Sequence, residues 1–287
     1  MSSASVKFQW YRRATDKLAT AVAILCVALV MVPLAAIFVY LLIRGAGSLN
    51  LAFFTQIPKP VGEAGGGMAN AIVGSLVVLF VGSLIGVPLG VGSGIYLSEY
   101  SRGQFGKVVR FTADVLNGMP SIVVGMAVYA LLVLRQKHFS ALAGGVALGI
   151  MMIPTITRST EEMLRLVPHS IREAALGLGI PQWRSTVSIT LRTAMSGVVT
   201  GIMLAFARVS GETAPLLFTA FGNQFWSLRL DQPIAALPLQ IFVYAISPFD
   251  EWHRLAWGGA LVLIALIVLA SASVRWASSR GLVGGAH

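Results

Sequence analysis

The sequence predicts an all-α membrane protein with six transmembrane helices, and three observations predict it. Of its 287 residues, 56% are hydrophobic and only 11% charged, where a soluble domain carries about 25% charged residues. Mean hydropathy is +0.80. Six apolar stretches approach or exceed the roughly 20 residues that a bilayer crossing needs. Lysines and arginines are also unevenly shared between alternate loops. The net charge of +10 does not point to nucleic acid, because the basic residues lie in short segments between apolar runs rather than in one patch.

The first element is a basic segment, residues 1–17, with Lys7, Arg12, Arg13 and Lys17. The apolar run after it, Leu18–Ile43, is much longer than the core of a signal peptide, and no small-x-small site closes it. Cys26 follows Leu25 rather than a small residue, which argues against a lipoprotein signal; 18–43 is therefore the first transmembrane helix. As the single cysteine, Cys26 excludes an internal disulfide and a multi-thiolate metal site.

The second span, Ala69–Leu97, carries Gly82, Gly86, Gly90 and Gly94 at every fourth position. On a helix they form one smooth ridge for close helix packing. Pro88 in the same span predicts a kink. The third and fourth spans are Val108–Leu134 and Ala141–Arg158. A long polar loop, 161–193, precedes the fifth, Ala194–Ala220, and the sixth is Leu255–Trp276. Pro233–Ile246 is too short to cross and reads as an interfacial or re-entrant segment, flanked by Trp226 and Trp252. The core is thus 69–276, with a tail at 277–287.

With the N-terminus inside, thirteen basic residues fall on inner segments: Lys7, Arg12, Arg13, Lys17, Arg102, Lys107, Arg110, Arg165, Arg172, Arg184, Arg192, Arg275 and Arg280. Six fall outside: Arg44, Lys59, Arg135, Lys137, Arg229 and Arg254. This places both termini in the cytoplasm.

Charge inside the spans points to function. Arg208 and Glu212 sit near the middle of the fifth apolar run, where an ionised side chain costs between ~3 and ~15 kcal/mol and normally faces a partner or an aqueous path. Four residues apart, they share a face of a continuous helix and can pair. The pair either lines a polar pathway or locks this helix to a neighbour. Arg158, near the inner end of the fourth span, either snorkels to headgroups or joins the path; Glu161 and Glu162 are placed to pair with it. Asp114 and Asn117, early in the third span, cap or line the inner end, with a structural role the plainer reading for Asp114.

Other chemistries lack their residues. There is no G-x-x-x-x-G-K-[ST] phosphate loop and no G-x-S-x-G elbow. His138, His169, His253 and His287 have no metal-ligand spacing. An intramembrane enzyme using Glu212 or Asp114 would lack a second catalytic group at comparable depth. No metal or cofactor is expected in the chain.

Loop 161–193 contains Glu173-Ala174-Ala175, then Gly179, Pro181, Ile189 and Leu191, a short broken helix able to dock in a groove of a soluble partner. Its spacing resembles the EAA loop of ABC-importer permeases, with Arg192 where that pattern has proline. Residues Arg208–Ala220, Asn117–Val123 and Thr157–Glu161 resemble the phosphate-specific (Pst) permeases. Asn223–Ser227 and Gln232–Ile234 resemble their PstA-type rather than PstC-type subunits.

The resemblance implies a type I ABC importer permease fold and a multi-pass place in the bacterial cytoplasmic membrane, among its lipids. It implies a PstC-type sister permease, two ATP-binding cassette subunits that bind the ATP, and an extracytoplasmic phosphate-binding protein. Glu173, Ala174, Ala175 and Gly179 would couple to the ATPase; Arg208, Glu212 and Arg158 would serve the substrate pathway. Sulfate, molybdate or tungstate would suit the same arginine chemistry. A secondary transporter would lack a use for the EAA loop.

Overall fold

The structure is a computed structural model that describes the backbone of residues 3–283 except 61, 62, 64 and 102, and side chains between 12 and 276 except those and 14. The side chains of Lys7, Arg102 and Arg280, and residues 284–287, lie outside the described part. Among the described residues the regular structure is helical. Among the described residues, five helices are long and apolar enough to cross a membrane, and a sixth crossing forms if one bent pair is taken together.

α1 (Ser3–Ala46) contains the first span and meets the remainder mainly at its far end. There Gly45 lets it lie on the Trp257 carbonyl and Leu261, and Tyr40 meets Trp257 edge-on. A short helix, α2 (Leu51–Thr55), is capped by the Asn50 side chain, which accepts from the Phe53 amide at 2.8 Å. α3 (Ala69–Tyr100) follows.

Two spans are interrupted where the sequence reading has them continuous. The expected third span, Val108–Leu134, is two helices, α4 (Gln104–Gly118) and α5 (Ser121–Gln136), bent by 105°. Pro120 supplies the cause: it has no amide hydrogen, and it drives Met119 to an extended backbone, φ −73° and ψ 137°. The expected fifth span, Ala194–Ala220, is displaced toward the N-terminus. α8 runs from Gln182 to Ser210, and after a break at 211–213 a short α9 (Ala214–Thr219) begins. Pro215, near the start of α9, cannot continue the preceding helix because its ring would strike the Gly211 carbonyl.

The long loop is correspondingly shorter than 161–193. α6 (Ala141–Arg165) overruns the expected end at Arg158, and α7 (His169–Gly177) fills most of what remains. α7 ends on Gly179 at φ +74°, with the Ile180 amide donating to the Ala175 carbonyl at 3.1 Å. This left-handed termination favours glycine. α10 (Leu237–Ala245), with Pro238 in its first turn, is too short to cross. α11 (Asp250–Val283) contains the last span.

α3 and α6 form the centre of the bundle. Gly82, Gly86, Gly90 and Gly94 face α6 in register, near Leu148, Met152, Ile156 and Thr160 respectively. A Cβ added at Gly90 would lie 2.7 Å from Ile156 Cβ, closer than carbon atoms pack, and Gly149 on α6 presents its own bare backbone to Ile85. The main core, including Val78, Leu148, Met152, Ile156, Ala205 and Leu216, continues from this contact onto α8 and α9.

Gly90→Ala is expected to destabilise the detergent-solubilised protein by about 1–3 kcal/mol, the usual cost of overpacking. Gly92→Ala, on a side with nothing within 4 Å, should leave the thermal midpoint within a degree or two. Equal midpoints for both variants would contradict the packing described.

Candidate functional site: a polar seam between α4, α6 and α8

Three helices, each polar on one side, meet along a line of charged groups. Thr155, Arg158, Glu161 and Arg165 fall three or four residues apart on α6 and so share one face. α4 turns Arg110, Asp114 and Asn117 toward them, at the same helical spacing. α8 contributes Arg208 from its last turn.

Glu161 is the most buried charge in the seam, its side chain 2% exposed. One of its oxygens accepts from Arg110 Nε at 2.7 Å and Arg165 Nη2 at 2.6 Å; the other accepts from Arg158 Nη1 at 3.3 Å. Arg110 also donates to the Leu97 carbonyl at 3.0 Å, tying α4 to the end of α3. Arg158 forks onto Asp114, with Nε and Nη2 at 2.9 and 2.6 Å from Oδ1 and a further contact from Nη2 to Oδ2. Such a two-pronged carboxylate contact is the geometry that a guanidinium also offers to phosphate-type oxygens.

Arg208 is placed differently from the sequence expectation. It makes no ion pair with Glu212 within 4.0 Å among the described residues; its Nη1 donates instead to the neutral Asn117 Oδ1 at 3.0 Å. The expected i,i+4 pairing requires a continuous helix, and α8 stops at Ser210, so Glu212 has left the helical path. The Thr155 hydroxyl reaches the same Asn117 oxygen at 3.4 Å. Asn117 is one turn beyond Asp114, so Arg208 and Arg158 bind successive turns of one helix face, about 5 Å apart along its axis.

The seam thus holds Arg110, Arg158, Arg165 and Arg208 against Asp114 and Glu161, an excess of positive charge. Arg208 is exposed, and its remaining N–H groups are available to an anion. Asp114, read from sequence as structural, is the principal partner of Arg158. Asn117 is the group that sequence reasoning placed without assigning it Arg208. At the far end of α6, α7 buries Ala175 at 3% exposure and turns Glu173 and Ala174 outward.

Residues 86–281 match the family described as binding-protein-dependent transport system inner membrane component. Among curated relatives, the phosphate transport system permease protein PstA of Yersinia pestis is 49% identical over 81% of this chain and 79% of its own length. That of Haemophilus influenzae is 45% identical over 92% and 93%. The chain belongs to the PstA permease family. Among solved structures, a chain of the MetNI methionine ABC transporter superposes with a TM-score of 0.54 at 15% identity, covering 86% of this chain and 97% of that one. That likeness shows the ABC-importer permease fold. The match to the transport-system family, residues 86–281, spans the second half of α3 through most of α11, and so includes every residue of the seam.

Replacing Glu161 by glutamine should be among the most damaging single changes in this PstA-family chain. Three guanidiniums would lose their shared anion, at a cost of roughly 3–5 kcal/mol for breaking a buried pair. Denaturant titration in micelles measures it, and a loss below about 1 kcal/mol would contradict the central place of Glu161.

Proposed function

We propose that the chain is the permease subunit of an ATP-driven importer that moves inorganic phosphate across a bacterial cytoplasmic membrane. The observation that carries this reading is Arg208, which faces a neutral amide rather than a carboxylate, in a chain 45–49% identical to curated phosphate permeases. An anion leaving water needs its lost hydration replaced, and a guanidinium with unused N–H groups supplies it.

Phosphate oxygens would take the open side of Arg208, with the Asn117 amide nitrogen as a further donor. Arg158 would bind next, and for this the phosphate must compete with Asp114 for the same fork. Glu212, inside the backbone break at 211–213, would offset the charge of Arg208 when the path is empty. The seam would then act as a relay in which internal carboxylates and substrate exchange places on fixed arginines.

In this reading both termini and α7 face the cytoplasm, as the distribution of lysine and arginine supports. Segments 1–17 and 277–287 would lie there. Within 161–193, Glu173, Ala174, Ala175 and Gly179 would form the dock for two ATP-binding cassette subunits, which bind and hydrolyse the ATP. One chain lines half a path, so a PstC-type sister permease would complete it, and an extracytoplasmic phosphate-binding protein would deliver substrate. Alternating access would follow from the ATPase subunits drawing the docking helices together.

Radiolabelled phosphate uptake in cells lacking this chain tests the reading. Reintroducing the chain should restore uptake, with competition by arsenate and little by sulfate or tungstate. Arg208→Gln should lower uptake at least ten- to a hundredfold, roughly what loss of a charge-assisted hydrogen bond implies, while the chain still reaches the membrane. Undiminished uptake would remove Arg208 from the path, and sulfate competing as well as phosphate would reassign the substrate. Gly179→Val, which forces a β-branched residue to φ +74°, should leave ATP hydrolysis that no longer drives import.

A further inference from the structure

A second, part-buried ion pair lies outside the seam. Arg172 is the residue immediately before Glu173-Ala174-Ala175. Its guanidinium holds both oxygens of Glu99, Nε to Oε2 at 3.1 Å and Nη2 to Oε1 at 2.7 Å. The same group donates to the carbonyls of Val167 at 2.6 Å and Leu164 at 2.7 Å, at the end of α6. Glu99 also accepts from the Ser98 hydroxyl at 3.1 Å, and its own carbonyl accepts from Gln182 Nε2 at 3.1 Å, at the start of α8. The side chains of Glu99 and Arg172 are 7% and 16% exposed.

This pair is the principal polar attachment of α7. Of the nine residues in that helix Ala175 alone is buried, and a cavity of about 380 Å³, bordered by Glu99, His169, Arg172, Glu173 and Gln182, separates it from its neighbours. Apolar packing on α7 comes from Ala175 and from the partly buried Ile171, which packs against the cluster of Leu164, Val167, Ala194 and Val198 and holds only one side of the helix. A single arginine crosses the gap and binds α3 and α6 at once. Glu99 sits where the last turn of α3 widens to a π-type turn, Tyr96–Tyr100, a deviation that is often found at functional positions.

The geometry points to Arg172 and Glu99 as positioning residues: a joint that makes α7 move as one body with the ends of α3 and α6. Displacement of α7 would then reach α6 directly, and α6 carries Arg158 and Glu161 two turns from Leu164 or less. A flexible, packing-only attachment would let α7 tilt into the cavity and dissipate the movement. The inference rests on the reading of α7 as the ATPase dock and adds what connects that dock to the pathway.

The test uses the complete complex in proteoliposomes, with ATPase subunits, sister permease and phosphate-loaded binding protein. Two quantities are read: co-purification of the ATPase subunits, and phosphate imported per ATP hydrolysed. Arg172→Gln and Glu99→Gln should retain co-purification and lower the import ratio by about tenfold, within the usual range of coupling between sites. Arg172→Lys keeps the charge but not the fork, and should fall about threefold. The exchange Glu99→Arg with Arg172→Glu should recover part of the loss caused by Arg172→Glu alone.

A wild-type ratio in Arg172→Gln overturns the joint, as does loss of co-purification in step with the ratio, which would make Arg172 a docking contact. If the glutamine variant does not accumulate, a wild-type ratio in Arg172→Lys overturns it equally. Failure of the unsubstituted chain to retain ATPase subunits would instead remove the docking reading, and is visible before any variant is made.

Discussion

The buried carboxylate of Glu161 is the constraint around which the functional half of the molecule is arranged. A charge so far from water is tolerable only with its cations in place. Two come from its own helix, Arg158 one turn before it and Arg165 one turn after. The third, Arg110, must come from α4, and the need to reach Glu161 fixes how α4 lies on α6. Once Arg110 is placed, helical spacing carries Asp114 to Arg158 and Asn117 to Thr155 and Arg208. The arrangement at the seam is one register, set at its most buried point.

The sequence exposed those features that depend on local periodicity. The spans were readable because length and apolarity are properties of contiguous residues, and the Arg158–Glu161 pair because three residues make one turn. Glu161–Arg165 follows the same rule at four residues. Arg110–Glu161, Asp114–Arg158 and Asn117–Arg208 join positions 51, 44 and 91 residues apart, and no local pattern announces them. The pairing of Arg208 with Glu212 failed for an instructive reason. Spacing arguments assume an unbroken helix, and Gly211 and Pro215 together end this one. The 105° bend was likewise written in Pro120, but a hydropathy average across the span conceals it.

The two ion-pair systems divide the mechanical work between them. The α3–α6 contact, with glycines removing side chains from the interface, gives a stiff central pair. Arg172 fastens α7 to one end of that pair, while Glu161 fastens α4 to its side. α8 meets the seam only at its final turn, next to a backbone break. Movement imposed at one end of the bundle therefore has a rigid route to α6 and two defined places, 119–120 and 211–213, where helices can change direction.

Asn117 and Arg208 each stand in the last turn of their helix, and this has an electrostatic consequence. Helix C-termini end in outward carbonyls that carry about half a negative charge. An anion held by Arg208 would therefore sit near two repelling C-termini, offset in part by the N-termini of α5 at Ser121 and α9 at Ala214, unlike the amide-lined cradle at a lone helix N-terminus that retains phosphate firmly. The attraction of the arginine is discounted from the start. In the proposed pathway such a site would favour short dwell times over tight capture, as a waypoint that must release its cargo as readily as it receives it.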